Sequence, residues 1–139
     1  MRVRAVRRFF DGLPVKIHRG FVVPFVKSVV ALESQNFRDL KPEFDKAGAV
    51  ILGCSGDTVE AQAKFHAKEH LNFPLLSDTQ FDAIEAYDAR RMKSFLGKTF
   101  LGIVRSTFLI DADGRIAKIW DKVKVKDHAA EVLEAVKKL

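Results

Sequence analysis

Segments with helical and strand-like patterns alternate along residues 32–139, and this order limits the fold more than any other feature of the chain. Apolar residues recur at near-helical spacing over residues 32–48. The run AVILGCS that follows has the continuous apolar character of a strand covered on both faces. Two strand patterns flank the turn Ala112-Asp113-Gly114, which predicts a hairpin. The order predicts an α/β sheet of parallel strands extended by an antiparallel hairpin, with helices on both faces.

Further segments complete this order. Asp57 and Glu60 have the spacing of a capping box, which predicts a helix through TVEAQAKFHAKEHL. A short strand is expected in NFPLLSD and a helix near residues 81–87. The stretch DARRMKSFLGKTF is predicted to be an irregular, solvated basic loop. Apolar residues at positions 129, 132, 133 and 136 predict a C-terminal helix.

The positive charge of the chain is concentrated at its start. The formal net charge is +6, and residues 1–31 carry seven Lys and Arg against one acid, which leaves 17 against 17 in residues 32–139. We therefore expect a basic arm of uncertain structure over residues 1–31 and one domain over residues 32–139. The arm shows no clean strand pattern, and its apolar stretch is broken by Pro24 and Lys27, too short to span a membrane. We expect neither a nucleic acid nor a membrane as partner.

Cys54 is the only cysteine of the chain. One thiol cannot form an internal disulfide, which is typical of a protein of the reducing cytoplasm. Cys54 lies near the end of the predicted strand AVILGCS, where a free cysteine is usually a buried core residue. A reactive thiol is the alternative, because ligands of open α/β sheets gather beyond the ends of the strands.

The segment HAKEH, residues 66–70, has the H-x-x-E-H pattern of one class of zinc proteases. A zinc site also needs a third protein ligand and an open coordination position, and nothing in the sequence supplies them. We expect no metal and no other cofactor.

Longer motifs resemble one known family. The segments ESQNFRDLKPEFDKAGAVILGCSGDTVEAQAKF, LNFPLLSD and FLGKTFLGIVRSTFLIDADGRIAKIW stand in family order and at family spacing within residues 32–139. They are similar to peroxiredoxins of the bacterioferritin comigratory protein, or peroxiredoxin Q, branch. The resemblance implies a thioredoxin-like fold with altered or missing N-terminal strands. It also implies thiol-dependent reduction of hydroperoxides in antioxidant defence, with a thioredoxin-like reductant as partner. We expect a monomer or a weak homo-oligomer.

The same resemblance exposes a departure at the attacking cysteine. In the family this residue ends a P-x-x-x-T-x-x-C loop that opens the first long helix. Counting back from ESQNFRDL places it at Val30, whereas counting forward from Pro24 through Ser28 places it at Ala31. Neither residue is a thiol, so the nucleophile that the family chemistry requires is missing.

Of the other functional positions of the family, the resolving cysteines are absent and the arginine is present. The usual resolving position falls on Gln35 and an alternative one near Ile84, and neither is a cysteine. Arg105 in VRSTFLID matches the family arginine that binds peroxide and lowers the pKa of the thiol. Three interpretations stay open. The chain is an impaired peroxidase with Cys54 as its only thiol, a redox-inactive binding protein, or the product of a frameshifted peroxiredoxin gene.

Overall fold

The computed structural model describes residues 20–26, 31–113 and 115–139. Their strands are β1 (Gly20–Val26), β2 (Ala49–Ile51), β3 (Gly53–Ser55), β4 (Leu75–Ser77), β5 (Arg90–Phe95), β6 (Lys98–Ile103), β7 (Ser106–Asp111) and β8 (Ile116–Trp120). Their helices are α1 (Ala31–Lys46), α2 (Val59–Lys68), α3 (Asp82–Ala86) and α4 (His128–Lys137). The alternation expected from the sequence is therefore confirmed from α1 onward.

The main sheet has the strand order β4-β3-β1-β7-β8, and β2 also pairs with β1. β1 is parallel to β2 and β3 on one side and antiparallel to β7 on the other. β7 and β8 form the predicted hairpin, although Gly114 of its turn lies outside the described residues. The sheet thus joins a parallel half to an antiparallel half at β1.

The structure contains a strand within residues 1–31, where the sequence showed no clean strand pattern. Gly20–Val26 is a central strand, paired on both of its edges. Its sequence GFVVPFV is rich in branched and aromatic residues, which favour strands, and the proline within it hid the pattern. The domain boundary expected after residue 31 therefore leaves out a strand that belongs to the sheet.

Pro24 coincides with a gap in the parallel side of this central strand. β1 pairs with β2 up to Val22 opposite Ile51 and resumes with β3 at Phe25 opposite Cys54. Proline has no backbone N–H to give to a ladder. The single strand predicted for AVILGCS is accordingly divided into β2 and β3.

Helices cover both faces of the sheet, as predicted. On one face α1 and α4 pack over a cluster that includes Phe37, Phe44, Ile51, Leu109, Val132 and Val136. On the opposite face α3 packs over a second cluster that includes Leu52, Cys54, Ile84, Tyr87, Phe108 and Ile110. Neighbouring residues of a strand point to opposite faces, which is why adjacent positions of the sheet divide between the two clusters. All four apolar positions predicted for the C-terminal helix are buried.

The basic stretch predicted to be irregular is instead a hairpin. β5 and β6 pair over six residues and form a separate two-stranded sheet. Leu96 and Gly97 make the turn, and both have positive φ, 50° and 75°. Two-residue hairpin turns of this kind prefer Asn-Gly, so leucine in the first position concealed the hairpin.

The start of α2 also differs in detail from the prediction. Thr58, and not Asp57, is the N-cap, because its side chain accepts a hydrogen bond from the Ala61 amide at 3.2 Å. Asp57 instead accepts a hydrogen bond from the Ser55 hydroxyl at 3.0 Å. In the described parts of the chain, no helix is both long enough and apolar enough to cross a membrane.

Candidate functional site

Arg105 lies at the edge of the sheet where β1 ends. It directly precedes Ser106, the first residue of β7, and Ser106 pairs with Phe25 near the end of β1. The chain leaves β1 after Val26 and enters α1 at Ala31, so the first turn of α1 lies at the same edge. The topology therefore places Arg105 beside the N-terminus of α1. In the family, the attacking cysteine lies at the start of the corresponding helix.

Glu33, in the first turn of α1, is the residue that faces this arginine. Its Oε2 lies 3.6 Å from Nε of Arg105, and its side chain is only 6% exposed. Within the described residues neither carboxylate oxygen accepts a hydrogen bond. Burial raises the pKa of Glu33, and the positive charge of Arg105 opposes that rise. The sequence predicts an acid in a first helical turn but not its burial, so this member of the site was missed.

The Arg105 side chain is about one third exposed, in contrast to Glu33. A guanidinium that is open to solvent beside a helix N-terminus can bind a small oxygen-rich ligand. The same two features would lower the pKa of a thiol placed there. Ala31 begins α1, and Val30 lies outside the described residues. Both candidate positions for that thiol hold aliphatic residues.

Cys54 does not lie with Arg105 and Glu33. It is the central residue of β3 and only 2% exposed, so the prediction that it is a core residue is confirmed. Its neighbours in the cluster include Ile84, Tyr87 and Phe108, on the face of the sheet opposite α1. Burial, and then the negative charge of Asp78, raises the pKa of the Cys54 thiol to about 12. These surroundings produce the opposite of an activated thiol.

The two positions that match resolving cysteines have structural contacts. Gln35 donates a hydrogen bond from Nε2 to Oε2 of Glu69 at 2.7 Å, which ties α1 to the end of α2. Ile84 is fully buried in α3, a helix of five residues. Neither position offers redox chemistry.

A polar network stands at the ends of β3 and β4, where ligands of such sheets often bind. The Gln62 amide donates hydrogen bonds to the Ser55 hydroxyl at 2.7 Å and to the Leu76 carbonyl at 2.9 Å. Asp78 accepts hydrogen bonds from the amides of Asp82 and Ile84 and so caps the start of α3. This network holds α2 and α3 on the sheet.

The two histidines of HAKEH do not lie on one continuous helix, as the H-x-x-E-H pattern requires. α2 ends at Lys68, and His70 has a positive φ of 51°. Nε2 of His66 lies 3.2 Å from the carbonyl oxygen of Phe73. Over the described ranges no group of three or more His, Cys, Asp or Glu residues is arranged to hold a metal ion.

The pattern of the AhpC/TSA family matches residues 19–119, which include β1, the start of α1 and Arg105. The chain therefore belongs to the AhpC/TSA family. This match begins before residue 32 and so agrees with the inclusion of β1 in the sheet.

Relatives narrow the assignment to one branch of the family. The chain is 48% identical over 105 residues to peroxiredoxin Bcp of Bacillus subtilis strain 168, covering 76% of this chain and 67% of the relative. It is 42% identical over 106 residues to peroxiredoxin Bcp of Escherichia coli K12, covering 76% and 68%. The chain thus spans about two thirds of the length of these relatives. It is a member of the Bcp, or peroxiredoxin Q, branch, as the sequence motifs predicted.

Solved structures confirm the thioredoxin-like fold. A trapped intermediate/ligand complex of the Xanthomonas campestris bacterioferritin comigratory protein is 41% identical, with a TM-score of 0.84, covering 88% of this chain and 80% of that one. Peroxidoxin BcpB of Mycobacterium tuberculosis is 29% identical, with a TM-score of 0.74, covering 87% and 80%.

Proposed function

We propose that this chain is a peroxiredoxin scaffold that does not itself reduce hydroperoxides by the cysteine chemistry of its family. One observation carries the proposal. The only thiol is buried on the face of the sheet opposite the helix N-terminus and arginine that would activate it. Oε2 of Glu33 lies 3.6 Å from Nε of Arg105, but no thiol stands with them among the described residues.

The family reaction needs a thiolate at a place that peroxide can reach. The thiolate sulfur attacks one oxygen of the hydroperoxide, an S–O bond forms, the O–O bond breaks, and an alcohol or water leaves. Cys54 fails on both requirements, because it is buried and because its pKa of about 12 leaves it protonated at neutral pH. A relocated peroxidase centred on Cys54 is therefore disfavoured.

Binding without turnover is the function that the remaining features support. A hydroperoxide is the ligand that the family membership favours, and its terminal oxygen suits the partly exposed guanidinium of Arg105. The Xanthomonas campestris relative was studied for alkyl peroxide reduction, which favours organic hydroperoxides as the ligand class. A cytoplasmic location agrees with the single cysteine of the chain. A thioredoxin-like reductant would be the partner of a form of this protein with an intact nucleophile.

A frameshifted gene is the second candidate, and one observation favours it. The relatives align with about three quarters of the chain, whereas the basic residues 1–18 precede the family match. Translation of the coding DNA over residues 1–31 in the other two frames tests this origin. A P-x-x-x-T-x-x-C pattern in either frame would establish it, and the absence of that pattern would rule it out.

The proposal is tested by hydroperoxide consumption. We expect the purified chain to consume hydrogen peroxide and cumene hydroperoxide in excess dithiothreitol no faster than its Cys54→Ser variant and buffer. Dithiothreitol replaces any particular protein reductant, so a missing partner cannot explain a negative result. Turnover that Cys54→Ser abolishes would overturn the proposal in favour of a relocated thiol.

A further inference from the structure

The hairpin of β5 and β6 presents an unusual amount of exposed apolar surface. Five of the nine large apolar residues that are exposed in the described part of the chain lie between positions 92 and 101. They are Met92, Phe95, Leu96, Phe100 and Leu101. The two at the tip are among the most exposed, Phe95 at 67% and Leu96 at 86%. Exposed clusters of this kind mark interaction sites in soluble domains.

These apolar side chains extend in more than one direction. Phe95 pairs with Lys98 and Phe100 with Lys93, so all four side chains share one face of the hairpin. Met92 pairs with Leu101 on the other face, and Leu96 projects from the turn between the strands. Apolar side chains on both faces and at the turn fit an apolar phase that surrounds the tip, such as the boundary of a lipid bilayer, better than a single flat surface.

The charges of the hairpin determine which lipid surface fits. Residues 90–103 contain four cations and no acid. At the base of the hairpin, Arg90 is paired with Glu85 and Arg91 with Asp121. The two lysines nearest the tip, at positions 93 and 98, have no ion-pair partner among the residues that the structure describes. Two free ammonium groups beside an apolar tip match anionic headgroups, whereas a second copy of the hairpin would be repelled.

We propose that the tip of this hairpin inserts into the headgroup region of an anionic lipid bilayer. Phe95 and Leu96 enter the boundary of the acyl chains, and Lys93 and Lys98 remain at the phosphate level, as flexible lysines do at membrane surfaces. The contact is peripheral and requires no spanning helix. It departs from the sequence-based expectation of no membrane partner, which rested on the absence of a spanning segment and on the basic arm.

The test places an environment-sensitive fluorophore on the tip. A Leu96→Cys variant is labelled with a thiol-reactive nitrobenzoxadiazole and mixed with vesicles of phosphatidylcholine containing phosphatidylglycerol. Val59→Cys, at an exposed position of a different element, α2, is the reference. Cys54 is buried, and the unsubstituted chain carried through the labelling gives the blank. Because the basic arm alone can attract anionic vesicles, the readout is the local environment of the label and not binding of the whole chain.

A blue shift and an intensity rise at position 96, absent at position 59 and absent with pure phosphatidylcholine, are the expected results. No change at position 96, or equal changes at both positions, would overturn the proposal. The label at position 96 is also mixed with single-stranded polyuridylate at the same ionic strength. A response to polyuridylate without a response to vesicles would make the hairpin a nucleic-acid surface and would equally overturn the proposal.

Charge variants measure the headgroup contribution. Lys93→Gln combined with Lys98→Gln should weaken vesicle partitioning of the tip roughly 30-fold, from the attraction of two basic side chains to an anionic surface. The exposed pair Lys124 and Lys126, changed to Gln in the same way, is the control and should leave the signal at position 96 unchanged. Equal effects of the two double variants would mean attraction by overall charge and would contradict a specific hairpin contact.

Discussion

The thiol of Cys54 should be far less reactive than any exposed cysteine on the same protein. Burial in the cluster around Tyr87 and Phe108, and then the nearby Asp78, raises its pKa to about 12. An exposed cysteine has a pKa of about 8.5. At neutral pH the thiolate population of Cys54 is therefore about 3,000-fold smaller than that of an exposed thiol, before restricted access slows the reaction further.

Alkylation by iodoacetamide, followed by mass spectrometry, measures this difference. A Val59→Cys variant supplies an exposed reference thiol within the same chain, because Val59 is 72% exposed. The rate at Cys54 should still rise about ten-fold per pH unit up to pH 10, whereas the reference rate levels off above its pKa. Both thiols should react alike in concentrated urea. Labelling of Cys54 within about ten-fold of the reference rate in the folded protein would refute the reasoning.

Three stability predictions use urea unfolding. The pKa of Glu33 is higher in the folded protein than in the unfolded chain. Ionisation of its carboxyl group therefore lowers the free energy of unfolding once the pH rises above the pKa of glutamate in the unfolded chain. Glu33→Gln should add about 1 kcal/mol at neutral pH and nothing in acid, and a loss at neutral pH would contradict the burial argument. His128 is buried with Nε2 2.8 Å from Oγ1 of Thr107, and burial lowers its pKa. The stability that neutral His128 contributes is complete above the pKa of histidine in the unfolded chain and is lost as pH falls below that value. The urea concentration at the unfolding midpoint should therefore be lower at about pH 5 than at about pH 7, and this difference should be smaller in His128→Gln. Phe44 is fully buried, and Phe44→Ala should cost about 3–5 kcal/mol, whereas a cost below about 1 kcal/mol would contradict its place in the core.

The sequence predicted those elements whose periodicity is local and strong. α1, α4 and the β7–β8 hairpin carry clear apolar spacing or a strong turn signal, and all three are present. β1 was missed because Pro24 interrupts an otherwise apolar strand, and only the ladder gap opposite it shows why proline is accommodated there. The β5–β6 hairpin was missed because Leu96 occupies a turn position that usually holds Asn or Gly.

The site divides in the same way. The family motifs identified Arg105 and the position of the missing thiol, because each of these positions belongs to a short contiguous stretch of sequence. The partner of Arg105 comes from long-range packing, since Glu33 lies 72 positions earlier in the chain and meets the arginine only when α1 docks beside β7. Its burial is a property of the assembled fold, and spacing alone does not reveal it.

Restoring the nucleophile tests the central claim most directly, namely that this scaffold keeps the surroundings of a peroxidase but lacks its sulfur. Ala31→Cys places a thiol at the first residue of α1, two positions before Glu33, which lies beside Arg105, and Val30→Cys tests the other position to which the family motif maps. We predict dithiothreitol-dependent hydroperoxide consumption in one of the two variants above the rate of the unsubstituted chain. That gain should be lost when Arg105 is also changed to Gln. Rates at background in both variants, with each folded by circular dichroism, would contradict the account.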